Sequence, residues 1–250
     1  MNDLERYFAA NSRNRIHKWA HYFEVYDRHF ARFRGTPVQL LEIGVDQGGS
    51  LQMWKHYFGP LASITGVDIN PACKALEEEQ IQILIGDQAD PKFLASLAAA
   101  MPRIDILIDD GGHTMRQQVL TFEILFPCVQ PDGLYVCEDL HTSYWRGFGG
   151  GYRRRGSFIE HSKGLVDALH AWHSKEPKRL GVTAFTRSAF ALHFYDSMLV
   201  IEKRVRERPH DVITGSQILP PRPGKPPSLS RRFKRWIGWS KPAGTPREQR

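Results

Sequence analysis

Five side chains in two short stretches could do chemistry together. The first stretch is Asp109-Asp110-Gly111-Gly112-His113, two acids and a histidine in one tight turn; the second is Glu138-Asp139. Each follows a short apolar run, Ile104 to Ile108 and Leu134 to Cys137. If those runs are neighbouring strands, their carboxylates converge in one crevice. Left uncompensated they would raise one another's pKa. A hard divalent cation such as Mg²⁺ relieves that repulsion, because it takes oxygen ligands and keeps several waters. His113 lies three residues past Asp110, within reach of a molecule held by such an ion, and its ordinary pKa near neutrality suits general-base work.

A second set of residues lies at the ends of three earlier apolar runs. Leu41-Glu42-Ile43-Gly44 leads into Val45-Asp46-Gln47-Gly48-Gly49-Ser50. Glycines at a strand-to-helix turn let backbone approach a ligand, and the helix start offers free N–H groups. The spacing is neither G-x-G-x-x-G nor a P-loop, and Glu42 ahead of the glycines suits a cofactor with a cationic amino group better than a pyrophosphate. Asp68 ends the next run, where ribose hydroxyls are accepted in open α/β sheets; a helix cap competes for it, with Asn70 beside it. Asp87-Gln88 ends the third run, where an adenine ring would lie. Gly44, Gly48, Ser50 and Asp109 complete the expected cofactor-facing set.

Elements must place these groups. Val38 to Ile43, Ile64 to Val67, Ile81 to Ile85, Ile104 to Ile108 and Leu134 to Cys137 read as five buried parallel strands. Helical stretches lie between them: from Gly48 through Tyr57, after Pro71, Pro91 to Met101 and Met115 to Val129. That alternation predicts a parallel sheet covered on both faces, with ligands at the carboxyl ends of the strands. Ahead of it, Ile16, Trp19, Tyr22, Phe23, Tyr26, Phe30 and Phe33 recur at three- and four-residue spacing, predicting an amphipathic helix that Gly35 ends. After it comes a polar, Gly- and Arg-rich stretch from His141 to Gly156, then a helix from Phe158 to Trp172. Ala189 to Tyr195 and Met198 to Glu202 flank the turn pair Asp196-Ser197 and read as a hairpin. The expected organisation is an N-terminal helical extension (1–36), an α/β domain (37–206) and a basic, proline-rich, disordered tail (207–250).

Charge is concentrated in that tail. Of the formal net charge of +7 in 250 residues, all is contributed by positions 207–250, so the body is neutral and offers no phosphate track; nucleic acid is not an expected partner. Leu229, Phe233, Trp236 and Ile237, among Arg231, Arg232, Lys234, Arg235 and Lys241, form a short basic amphipathic candidate for weak membrane contact. Three separated cysteines without a CxxC pair, no signal peptide at the polar start and no membrane-length apolar run lead us to expect a cytosolic protein.

The chain resembles class I S-adenosylmethionine-dependent methyltransferases in Leu41-Glu42-Ile43-Gly44, Gly48-Gly49-Ser50-Leu51, Met53-Trp54, Gly66-Val67-Asp68-Ile69 and Gly86-Asp87-Gln88. Ile108-Asp109-Asp110-Gly111-Gly112-His113 followed by Glu138-Asp139-Leu140-His141-Thr142-Ser143-Tyr144-Trp145 is narrower. It resembles the metal-dependent sugar O-methyltransferases of macrolide biosynthesis, and more distantly the cephalosporin-hydroxylase-like proteins. The resemblance runs from about Trp19 to Arg204. It implies a Rossmann-like doubly wound α/β fold with a seven-stranded sheet ending in an antiparallel C-terminal hairpin. It also implies S-adenosylmethionine and Mg²⁺ (or another divalent cation) as cofactors, with metal ligands at Asp110, Glu138 and Asp139 and the base at His113. The family often has Ser where this chain has Gly112. The expected reaction is methylation of a hydroxyl on a sugar or glycosylated natural product, with His141, Tyr144 and Trp145 against the acceptor. A catechol or phenol acceptor, or a non-catalytic cofactor-binding adaptor, are the alternatives. A homo-oligomer is compatible with all of these.

Overall fold

The computed structural model describes residues 1–101 and 103–219. Seven strands form one sheet: β1 (Gln39–Ile43), β2 (Ser63–Asp68), β3 (Ile81–Ile85), β4 (Ile104–Asp109), β5 (Val129–Cys137), β6 (Ala189–Tyr195) and β7 (Met198–Lys203). Their order is β3-β2-β1-β4-β5-β7-β6, with β1 to β5 parallel and β7 antiparallel to both β5 and β6. The chain reverses its direction of travel across the sheet between β1 and β4, so the crevice for a ligand opens at their carboxyl ends. β4 and β5 are neighbours, Asp109 pairing with Cys137, which brings the two acidic turns side by side.

Helices α1 (Asp3–Ala10), α2 (Tyr22–Phe30), α3 (Gly49–Phe58), α4 (Pro91–Ala100), α5 (Met115–Leu125), α6 (Phe158–Leu169) and α7 (Ala184–Ser188) accompany the sheet. Strand side chains alternate between faces. Leu40, Ile64, Ile106, Ile108 and Val136 therefore pack with Tyr26, Phe30, Trp54 and Phe58 on one face. Leu41, Ile43, Leu107, Tyr135 and Cys137 pack with Leu97, Phe122, Leu125 and Phe158 on the other.

The N-terminal region departs from expectation. The helix predicted from Ile16 to Phe33 is confined to α2, with a single 3₁₀ turn at Ala31–Phe33, and residues 11–19 form a strap without helix or strand. The apolar spacing is real, but Lys18 in its midst is drawn into the acid cluster described below. The strap also lies on the start of α3: a Cβ on Gly49 would stand 2.3 Å from the Arg15 carbonyl oxygen and 2.5 Å from that of Asn14. Ahead of the strap, Asn2 and Glu5 close a capping box on α1, which buries Leu4. Other shifts are smaller. The stretch after Pro71 is a 3₁₀ helix (Pro71–Leu76), and α5 gives way to 3₁₀ at Phe126–Cys128, where Pro127 removes a helix donor. The hairpin turn sits at Asp196-Ser197 as expected, with Ser197 at φ 61°. Among the described residues no helix is long and apolar enough to cross a membrane, and Cys73, Cys128 and Cys137 are free. Residues 1–209 form one compact unit; the basic amphipathic candidate Leu229–Ile237 lies outside the described residues.

Candidate active site

A cavity of about 460 Å³ opens at the carboxyl ends of β1, β2 and β4. That is within the range of sites for small molecules and cofactors. The glycine turn forms one wall. Gly44 (φ 102°) passes so close to β4 that a Cβ would lie 2.0 Å from the Asp110 carbonyl oxygen, and Gly48 (φ 75°) ends the turn ahead of α3. Asp68 lines the cavity and braces that turn: Oδ2 accepts from the Val45 and Asp46 amides (2.9 and 3.1 Å), and Oδ1 from Asn70 (2.9 Å). Asp87 and Gln88 line the next wall, where Asp87 accepts from the Ala89 amide (2.7 Å). Ser50 lines it as well.

Three expected site residues stand behind the cavity wall instead of on it. Glu42 is fully buried, accepting from Ser50 Oγ and Trp54 Nε1 at 3.0 Å each, and burial pushes its pKa up to about 7. Asp109 is fully buried on the opposite face of the sheet, held by Gln88 Nε2 (2.5 Å) and Tyr135 Oη (3.3 Å), its pKa likewise raised by burial to about 7. The period of two separates it from its neighbour: Asp110 faces the α2 side and Asp109 the α5 side. Gln88 spans between, since its Oε1 accepts from the Gly112 amide (3.0 Å). Glu138, also fully buried, accepts from Tyr26 Oη (2.6 Å) and Lys18 Nζ (2.9 Å).

Lys18 is the residue that sequence reasoning missed. Its side chain is 3% exposed and its ammonium reaches Asp110 Oδ2 (2.5 Å), Glu138 Oε2 (2.9 Å) and Glu42 Oε1 (3.5 Å). Burial opposes its charge, but these carboxylates outweigh that and hold its pKa well above the lysine norm. The available signal was a lysine between Ile16, Trp19 and Tyr22 in an otherwise apolar stripe. Tyr22, expected only as part of the apolar stripe of the predicted helix, donates its hydroxyl to Asp139 Oδ1 (2.9 Å).

At the cavity end, Asp110, His113 and Asp139 each offer one ligand atom within 4.8 Å of the others. His113 (φ 54°) points Nε2 at Asp139 Oδ2 (3.5 Å) and Asp110 Oδ1 (3.9 Å), while its buried Nδ1 has no hydrogen-bond partner. Gly112 leaves the room that Gln117 fills, because a Cβ there would meet the Gln117 side chain at 2.5 Å. The donor chemistry fits a divalent cation. Asp110 and Asp139 turn carboxylate oxygens to the cavity beside His113, and with Glu42 and Glu138 they outnumber the one ammonium of Lys18, an excess of hard oxygen donors that suits such an ion. Beyond Asp139, His141 Nδ1 lies 2.5 Å from Ser197 Oγ, and Tyr144 and Trp145 are half exposed.

No protein-family model matches the chain. It is 42% identical over 196 residues to the 8-demethyl-8-alpha-L-rhamnosyl tetracenomycin-C 2'-O-methyltransferase of Streptomyces olivaceus, covering 73% of this chain and 50% of that protein. It is also 42% identical over 203 residues to the demethylmacrocin O-methyltransferase of Streptomyces fradiae, covering 75% and 50%. The chain thus spans about half the length of the curated relatives it matches. Among solved structures it superposes on the MycE methyltransferase of the mycinamycin biosynthetic pathway, in complex with Mg and SAH. The TM-score is 0.72 at 34% identity, over 81% of this chain and 54% of that one. A second crystal structure of that enzyme, with Mg, SAH and mycinamycin VI, gives 0.70 at 35%, over 81% and 53%. By fold and by sequence, the chain belongs to the family of the sugar O-methyltransferases of macrolide biosynthesis.

Proposed function

We propose that the protein methylates a hydroxyl of a sugar carried on a natural product, using S-adenosylmethionine and a divalent cation. The observation that carries this is the meeting of Asp110, His113 and Asp139 at one end of a cavity whose other walls are the glycine turn, Asp68 and Asp87. Asp68 takes the ribose hydroxyls, Asp87 and Gln88 the adenine, and Gly44, Gly48 and Ser50 keep the turn close to the methionine part. Glu42 acts on the cofactor's amino group from behind, through Ser50 and Lys18. Asp109 holds Gln88, and so the Gly112 turn, in place.

Asp110 and Asp139 hold the cation, with Glu138 as the third carboxylate. When bound, that ion lowers the pKa of a coordinated hydroxyl. His113 Nε2 receives the hydroxyl proton as the oxygen takes the methyl from sulfur; the sulfonium charge is thereby neutralised. The remaining task of the protein is alignment of the two reacting atoms. His141, Tyr144 and Trp145 meet the acceptor.

The test is methyl transfer from labelled S-adenosylmethionine to glycosylated polyketides, with Mg²⁺ and with chelator. We expect activity that chelation removes and Mg²⁺ or Mn²⁺ restores. Asp110→Ala should cost at least about 100-fold in turnover, while S-adenosylhomocysteine affinity stays within about threefold. Full activity of Asp110→Ala would overturn the metal assignment. Methylation of catechols but not glycosides would reassign the acceptor, and tight cofactor binding with no transfer to any acceptor would make the protein an adaptor.

A further inference from the structure

An aromatic face stands beside the acid turn, and its first member comes from the N-terminal strap. Trp19 sets its ring edge-on to His141, centres 5.7 Å apart and planes at 80°. Trp145 also packs on His141, at 4.6 Å, and Phe148 lies 5.8 Å from Trp145. His141 is locked, because its amide and its Nδ1 both meet Ser197 Oγ at the hairpin tip, at 3.2 and 2.5 Å. Yet Trp19 and Trp145 leave 53% and 51% of their surfaces open. Adjoining exposed apolar side chains of this size mark binding surfaces.

The backbone that carries this face also carries the reactive groups. Lys18, next to Trp19, holds Asp110; Tyr22, three residues on, holds Asp139; and His141 is two residues past Asp139. The face is therefore fixed in place relative to the point where the hydroxyl must sit.

We propose that Trp19, which like Trp145 packs on His141, is a specificity-determining residue on which the acceptor lays an apolar ring face next to the hydroxyl to be methylated. This rests on the methyl-transfer reading above. The ligand chemistry is a ring with a C–H or π face and polar edges, which an indole covers while the edges stay hydrated. Two parts of one acceptor offer it: the carbon face of the sugar, and the aglycone.

The experiment compares full-length protein with Trp19→Ala and Trp19→Phe, using a macrolide glycoside and the corresponding free sugar. Steady-state kinetics is paired with calorimetric acceptor binding in the presence of S-adenosylhomocysteine and Mg²⁺. In Trp19→Ala we expect acceptor KM and Kd to rise about tenfold or more, with kcat and S-adenosylhomocysteine affinity within about threefold. Trp19→Phe should restore most of the loss. An equal rise for glycoside and free sugar assigns the face to the sugar ring; a rise for the glycoside alone assigns it to the aglycone. Unchanged acceptor affinity in Trp19→Ala, or a parallel loss of cofactor affinity, overturns the inference while the methyl-transfer reading stands. A wild-type protein that neither binds nor methylates either acceptor overturns both.

Discussion

A single ammonium meets three carboxylates at Lys18, two of them fully buried, and the consequences of removing it can be ranked. Lys18→Met leaves Glu42, Asp110 and Glu138 without their counter-charge in a site where Lys18 and Glu138 are almost wholly buried. Breaking a buried pair by deleting one partner costs about 3–5 kcal/mol, and we expect the urea midpoint of this variant to fall accordingly. Adding Glu138→Gln should recover part of the loss, because it removes one of the stranded charges; a further additive loss in the double variant would show that the two side chains act independently. His113 makes a different prediction. Its Nε2 faces Asp110 and Asp139 and its backbone sits at φ 54°, a conformation asparagine tolerates better than alanine, so His113→Asn should keep the urea midpoint close to wild type while turnover falls by about 100- to 10,000-fold, the range of general-base deletions.

The strap and the hairpin are the elements that decide whether the site is assembled. Arg15, Ile16, His17 and Lys18 line the cavity, and the strap crosses α3 where only glycine fits. Gly49→Ala favours the helix by propensity but drives a methyl into two backbone carbonyls. We expect S-adenosylhomocysteine affinity to drop about tenfold as the strap lifts, measured by calorimetry. On the far side, α2 is tied to the hairpin by His29, whose Nε2 meets Tyr195 Oη at 2.9 Å, with His193 Nε2 2.7 Å from Glu202 Oε1 nearby. Burial, reinforced by the adjoining His193, pushes the His29 pKa down to about 4 from an ordinary 6.5. Between those values the unfolded chain binds more protons than the folded one, so this contribution is intact above pH 6.5 and is lost as pH falls toward 4. Denaturant midpoints from pH 7 to 4 should therefore fall more steeply for wild type than for His29→Gln; the largest separation that the shift allows is about 3 kcal/mol.

At the scale of the whole molecule, both faces of one seven-stranded sheet are covered within residues 1–209. We propose that the α/β body, with its N-terminal helices, is the folding unit and that the basic tail is dispensable for it. A chain ending at residue 209 should keep its melting temperature within about 2 °C and its cofactor affinity unchanged; a larger drop would place the tail in the fold.

The strands of the parallel sheet, the hairpin and the acid at each strand end were legible in the sequence because they are local: a buried strand announces itself as an apolar run, and its carboxyl end follows by one residue. Asp68, Asp87, Asp110, His113 and Asp139 reach the cavity for that reason. Which of two adjacent acids faces which layer was also implicit in the period of two, as Asp109 and Asp110 show. What the sequence could not carry was long-range pairing. Lys18 lies 92 residues from Asp110 and 120 from Glu138, and the benefit of its charge exists only once β4 and β5 are adjacent. Local spacing therefore read Ile16–Phe33 as one helix. The tertiary structure shortened it to α2, with the preceding residues left as a non-helical strap that buries the lysine among carboxylates and lines the cavity with its neighbours. The same decision withdrew Glu42 and Glu138 from the cavity wall and placed Trp19 beside His141, a contact between residues that share no local pattern.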